Sequence, residues 1–129
     1  MPKVRLLLGD DHRLVRHGFR KILETRDDWE VVAEVGDGRE AVARADELHP
    51  DVAILDIGMP GMDGYDACRH IRQTEWGASM LIVALTGWGQ EADRRRSALA
   101  GFDKHFVKPV DPVTLTTFVR EALVRTLRR

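Results

Sequence analysis

Val52-Ala53-Ile54-Leu55-Asp56-Ile57-Gly58-Met59-Pro60-Gly61-Met62-Asp63-Gly64 is the stretch on which the reading of this chain turns. Four apolar residues in a row, followed by a loop rich in glycine and proline, suit a strand buried on both faces. Asp56 ends that run. A carboxylate so placed is poorly solvated yet reachable from the loop side, which makes it a candidate nucleophile or metal ligand. Alone, it is equally a turn residue before a Gly/Pro loop.

Similar apolar runs lie on either side. The predicted strands are Val4–Gly9 and residues 30–35, 51–55, 80–85 and 105–107. Between them apolar residues recur at helical spacing. Leu14, Val15, Gly18, Phe19, Ile22 and Leu23 share one face, as do Leu115, Phe118, Val119, Ala122, Leu123 and Leu127. Ala41, Val42, Ala45 and Leu48 form a weaker stripe, and so do Tyr65, Cys68 and Ile71. Asp111 followed by Pro112 is a helix start, and Gly101 after Ala100 a helix stop. Strand and helix therefore alternate five times. Right-handed crossovers then require an α/β domain, a parallel sheet with helices on both faces. Ligands of such sheets bind beyond the carboxyl ends of the strands. Asp10, Asp11, Asp56, Thr86 and Lys108 all fall at those ends.

Composition narrows the partners. The chain has 129 residues, 43% hydrophobic and 32% charged, with a net charge of −1. That is enough chain for one domain with a core, and too little net charge for general attraction to nucleic acid or anionic lipid. The single cysteine, Cys68, has no partner for an internal disulfide, which fits a reducing compartment. Leu6-Leu7-Leu8 is too short for a signal-peptide core or a membrane span. A soluble cytoplasmic protein is expected.

Each polar strand end has a plain structural reading. Asp11 suits a helix N-cap, Thr86 favours a strand, and a lone lysine is commonly solvated. As a set they carry chemistry. Three crowded carboxylates repel one another and call for a cation. Mg²⁺ prefers a few carboxylates with water and phosphate oxygens. Lys108 adds a compact positive charge and Thr86 a hydroxyl donor. Such a group stabilises the charge of a phosphoryl group passing to a carboxylate.

The motifs are Gly9-Asp10-Asp11, the Leu55-Asp56 to Gly64 loop, Ala84-Leu85-Thr86-Gly87 and Phe106-Val107-Lys108-Pro109. Asp11, Asp56, Thr86 and Lys108 stand 45, 30 and 22 residues apart in turn. In this order and spacing, essentially the whole chain resembles the receiver domains of two-component response regulators. The resemblance implies a single doubly wound (βα)5 domain over residues 1–129, with strand order 2-1-3-4-5. It implies that Asp56 is the phosphoacceptor, assisted by Thr86 and Lys108. Asp10, Asp11, Asp56 and the backbone carbonyl of Gly58 would hold Mg²⁺, and the Lys108–Pro109 bond would be cis. The donor would be a histidine kinase, a histidine phosphotransfer protein or a small phosphodonor. Activity would be limited to self-phosphorylation and autodephosphorylation, so the chain is read as a regulator, not an enzyme. A downstream protein would bind residues 90–127, from Gln90 onward, and a homodimer is a further arrangement. Direct contact with nucleic acid or membrane is not expected.

Two positions depart from the family pattern. His105 stands where an aromatic residue usually works with Thr86 as a switch. It is either a strand-edge histidine or a side chain that moves inward as Thr86 closes on phosphate. Gly58 lacks the larger side chain that shields the phosphate in relatives. Trp88, flanked by Gly87 and Gly89, would supply shielding or else pack on the next helix. Arg94-Arg95-Arg96 reads as a solvated helix face.

The chain stops two residues after Leu127, so no recognition helix and no output domain is expected in it. A stand-alone regulator is favoured over a fragment of a longer protein. Competing readings are a phosphorylation-independent interaction domain, an aspartyl-nucleophile phosphohydrolase and a flavin module of the same topology. The hydrolase needs an acid at the position of Gly58. The flavin module needs a hydroxyl-rich loop where Asp10-Asp11 would repel phosphate.

Overall fold

Strand and helix alternate as the apolar pattern predicts. The elements are β1 (Val4–Gly9), α1 (Arg13–Leu23), β2 (Trp29–Val35), α2 (Gly38–Leu48) and β3 (Val52–Asp56). They continue with α3 (Gly64–Arg72), β4 (Leu81–Thr86), α4 (Glu91–Ala100), β5 (Lys104–Val107) and α5 (Pro112–Leu127). The computed structural model describes residues 3–87 and 91–127, with backbone only at 91–93, 126 and 127. Trp88 and Gln90 lie outside the described residues, and so does the shielding role predicted for Trp88.

The sheet is parallel throughout and runs β2-β1-β3-β4-β5. Side chains alternate between its faces, so each strand feeds two cores. Leu7, Ala53, Leu55, Ile82 and Ala84 pack with Ala41 and Ala45 of α2, Cys68 and Ile71 of α3, and Ala100 of α4. Leu6, Leu8, Val52, Ile54, Val83 and Leu85 pack on the other face with Leu23 of α1 and Leu115 and Val119 of α5. Burial on both faces explains why the central strands read as unbroken apolar runs.

Helix ends follow local chemistry. Asp37 and Asp63 cap α2 and α3 by accepting the N–H of Glu40 and Asp66 at 2.8 and 3.0 Å. The carboxylate of Asp111 accepts the Thr114 hydroxyl at 2.9 Å, ahead of Pro112. Gly101, with φ of +108°, ends α4 in a conformation that an L side chain resists. The N-cap of α1 is His12, and no side chain caps that helix. The cap reading of Asp11 therefore fails, and both aspartates are left for the site.

The apolar stripe predicted on α1 is only half used. Leu23 is buried and Phe19 and Ile22 are half-buried, but Leu14 is 87% and Val15 37% exposed. The helix meets the sheet through its C-terminal half. Along the helix Val15, Gly18, Phe19 and Ile22 wall an apolar groove of about 450 Å³, with Pro109 and Val110 opposite.

Candidate functional site

Strand register assembles the site. Gly9 is paired with Leu55, so Asp10 and Asp56 leave adjacent strands at the same level. Asp56 is paired with Leu85, and Thr86 with Val107, so Thr86 and Lys108 each stand one step further out. β1 and β3 are neighbours although β2 lies between them in sequence, which makes this edge the topological switch point. The structure thus brings Asp10, Asp56, Thr86 and Lys108 to one end of the sheet, with Asp11 at its rim.

Burial separates the carboxylates. Asp10 is 0% and Asp56 6% exposed, whereas the Asp11 side chain is 34% exposed. Two buried carboxylates side by side need compensation. Lys108 provides it, with Nζ 2.8 Å from Asp10 Oδ2 and 3.3 Å from Asp56 Oδ2. Burial pulls the Lys108 pKa down, but the Asp10 hydrogen bond and the Asp56 charge outweigh it, and the pKa lies above the usual lysine value. The Lys108 N–H donates to the Thr86 carbonyl at 2.7 Å, and the Lys108–Pro109 bond is cis.

The remaining Asp56 oxygen, Oδ1, accepts the Gly58 N–H at 3.2 Å. A Cβ built on Gly58 would meet only that oxygen, at 3.9 Å. Among the described residues, the approach to Asp56 on this side is open. Gly64 does the opposite work: a Cβ there would lie 2.8 Å from the Asp56 carbonyl oxygen, so the start of α3 packs directly on the acceptor's backbone.

Three residues that the sequence reading did not single out support the site. His12 donates its N–H to Asp10 Oδ1 at 2.8 Å, and its Nδ1 lies 3.3 Å from that oxygen and 3.0 Å from Asp11 Oδ1. Arg16 Nη1 donates to the Asp10 carbonyl at 2.6 Å and ties the loop to α1. Ser97 of α4 hydrogen-bonds His105 Nδ1 at 2.7 Å inside the protein, where His105 is 8% exposed. His12 and Arg16 carried a usable signal, their closeness to Asp10 in sequence. The Ser97–His105 contact joins different elements and left none. Arg94, Arg95 and Arg96 are exposed, with the Arg96 guanidinium 4.2 Å from the Tyr65 ring centre.

Asp10, Asp11, His12 and Asp56 each offer a ligand atom, all within 4.8 Å of one another. Together with the buried negative charge that Lys108 now offsets, this donor set fits a divalent cation.

Residues 6–120 match the family model of the response regulator receiver domain. Over 113 residues the chain is 37% identical to the nitrate/nitrite response regulator protein homolog of Haemophilus influenzae, covering 88% of this chain and 53% of that protein. Over 118 residues it is 33% identical to the response regulator protein VraR of Staphylococcus aureus, covering 92% and 56%. The chain spans about half the length of these curated relatives. A solved two-component response regulator of the LuxR family from Aurantimonas sp. SI85-9A1 superposes with a TM-score of 0.87 at 34% identity, covering 95% of this chain and 86% of that one. The motif order, the 2-1-3-4-5 sheet and these matches agree: this chain belongs to the response regulator receiver domain family of two-component signalling.

Proposed function

We propose that this domain is a phosphorylation-controlled switch whose phosphoacceptor is Asp56. The observation that carries the reading is Lys108 Nζ held between the buried Asp10 and Asp56 carboxylates at 2.8 and 3.3 Å. An Asp56 oxygen attacks the phosphorus of a histidine kinase's or phosphotransfer protein's phosphohistidine. The new O–P bond forms as the P–N bond breaks, and the departing imidazole keeps the electron pair. Lys108 then turns from its carboxylate partners to an oxygen of the arriving group, and the Thr86 hydroxyl donates to another. The Gly58 N–H keeps the Asp56 carboxylate oriented. Asp10, Asp11, Asp56 and the Gly58 carbonyl would hold Mg²⁺, which supplies neutralising charge at the phosphoryl oxygens.

Output would pass through protein contacts. Leu99 of α4 and Val113 and Val124 of α5 are 87%, 69% and 43% exposed, an apolar component that suits a protein partner. The Ser97–His105 bond links β5 to α4, so movement of His105 would be felt on that face. Receiver domains of response regulators are in general non-enzymatic switches, and no described helix is long and apolar enough to cross a membrane.

The test is incubation with Mg²⁺ and acetyl phosphate, followed by intact mass. Wild type should gain one phosphoryl group and Asp56→Asn none. A wild type that gains no mass, or an Asp56→Asn variant labelled as fast as wild type, overturns the reading.

A further inference from the structure

Two buried polar atoms stand unbonded behind the site. Arg16 Nε and Glu34 Oε1 are closed to solvent, and neither forms a hydrogen bond among the described residues. They lie 3.5 Å apart, so a shift of a few tenths of an ångström would join them. Buried groups left unbonded are costly and call for a cause. The cause lies at the other end of the guanidinium. Arg16 Nη1 donates to the Asp10 carbonyl at 2.6 Å, which draws the group off Glu34. The Asp10 main chain, and not the ion pair, sets where the guanidinium sits.

Glu34 is the fixed end of this chain of contacts. It stands on β2 beside Val35, whose carbonyl accepts the Asp10 N–H at 3.0 Å. β2 thus holds the Asp10 main chain twice, directly at the N–H and through Glu34 and Arg16 at the carbonyl. The Arg16 and Glu34 side chains are 18% and 13% exposed, so solvent screens their charges weakly. Arg20 Nη1 donates to the other Glu34 oxygen at 2.7 Å, and His17 Nδ1 lies 3.7 Å from Oε1. Arg20 bonds Glu24 and Glu34 and, among the described residues, nothing of the Asp10 loop. Asp10 is fully buried, so a tilt of its peptide would move its carboxylate against Asp56 and Lys108. Without Glu34, the Arg16 cation would be free to turn from the carbonyl toward the carboxylates and oppose an entering ion.

We propose that Arg16 and Glu34 are positioning residues for the loop that carries Asp10: Glu34 keeps the guanidinium on the Asp10 carbonyl and off the carboxylates, and so sets how tightly the site takes Mg²⁺. The inference rests on the reading of the carboxylate cluster as the ion site beside the phosphoacceptor.

The test is calorimetric titration of the intact chain with magnesium chloride, together with acetyl phosphate labelling across a range of Mg²⁺ concentrations. The proteins are wild type, Glu34→Gln, Arg16→Met, the double variant and Arg20→Gln. Groups that stand behind a metal ligand are worth about 10–100-fold in affinity, so Arg16→Met should weaken Mg²⁺ binding about tenfold and Glu34→Gln, one contact further back, at least about threefold. The labelling rate should return to that of wild type at saturating Mg²⁺, because Lys108 and Thr86 are untouched. The double variant should bind Mg²⁺ as Arg16→Met does, since Glu34 acts through Arg16. Arg20→Gln removes a Glu34 contact of the same kind, so it should lower the urea midpoint yet leave Mg²⁺ affinity unchanged. Unchanged or tighter Mg²⁺ binding by Glu34→Gln overturns the proposal. So does a further loss in the double variant, an equal loss in Arg20→Gln, or a labelling rate that stays low at saturating Mg²⁺. Should Arg16→Met fail to fold, the comparison of Glu34→Gln with Arg20→Gln decides alone. A wild type that neither binds Mg²⁺ nor labels overturns the ion-site reading itself. A wild type that does both, with Glu34→Gln indistinguishable from it, overturns this inference alone.

Discussion

Replacing Lys108 with methionine removes the ammonium group while keeping an unbranched side chain one atom shorter. Lys108 Nζ lies 2.8 Å from Asp10 and 3.3 Å from Asp56. At an effective dielectric constant of about 20, each such pair attracts by roughly 5–6 kcal/mol before solvation is counted. Most of that is offset, because the lysine is 25% exposed and both partners lose hydration when they pair. A residual of ~1.4 kcal/mol corresponds to about tenfold in an equilibrium constant. The two buried carboxylates, deprived of their internal cation, should then bind Mg²⁺ about tenfold more tightly than in wild type. Phosphoryl acceptance should move the other way. Loss of one preorganised donor to a developing charge costs roughly 10²–10³ in rate. Calorimetric Mg²⁺ titration and intact-mass labelling from acetyl phosphate measure the two effects on the same preparation. Weaker or unchanged Mg²⁺ binding would refute the competition between lysine and ion. Labelling at the wild-type rate would refute the part given to Lys108 in transfer.

Four further perturbations probe separate parts of the structure. Gly38→Ala would put a Cβ 2.0 Å from the Met62 carbonyl oxygen, so α2 must shift. Overpacking of this kind costs about 1–3 kcal/mol, and the thermal midpoint should fall by roughly 3–10 °C. Gly58→Asn meets only Asp56 Oδ1 and should fold normally, while its side chain shields the phosphoryl group and lengthens the phosphorylated lifetime. An unchanged decay of the labelled mass would refute that. Burial raises the Glu34 pKa, but the Arg20 hydrogen bond and the charges of His17, Arg20 and Arg16 outweigh it and leave the pKa below its usual 4.5. A depressed carboxylate adds stability that is complete above pH 4.5 and lost as pH falls through the folded value. Glu34→Gln should therefore narrow the difference in urea midpoint between neutral pH and pH values below 4.5, and an unaltered acid limb would count against it. His105→Ala removes the Ser97 contact between β5 and α4. Target binding should then lose its dependence on phosphorylation, and full retention of that dependence would dismiss His105 as a switch.

The central strands were legible because burial on both faces leaves unbroken apolar runs, and the helix stop at Gly101 because its φ of +108° asks for glycine. The meeting of Asp10, Asp56, Thr86 and Lys108 was legible for a topological reason. A parallel sheet sends every strand's carboxyl end to one edge, so a polar residue just past an apolar run has nowhere else to go. Strand limits were one residue short at Asp56 and Thr86. Both residues still complete the ladder, paired with Leu85 and Val107, and a polar side chain gives no hint that its backbone does so.

α1 shows where periodicity stops carrying information. Its apolar residues share a face from Leu14 to Leu23, and spacing alone assigns that face to the core. Whether a helical face reaches the core depends on the tilt of the helix, which the pattern does not encode. Here the loop after β1 is fixed at both ends, by the Asp10 carbonyl bonded to Arg16 and the His12 N–H bonded to Asp10. The start of α1 is thus tied to the carboxylate cluster and not to the hydrophobic face. The contacts that hold His12 beside the carboxylates belong to the same end of the helix that leaves Leu14 and Val15 in solvent. Loss of the Arg16 tether should therefore disturb both features together. A free α1 start would settle its apolar face toward the groove and carry the imidazole away from Asp10 and Asp11.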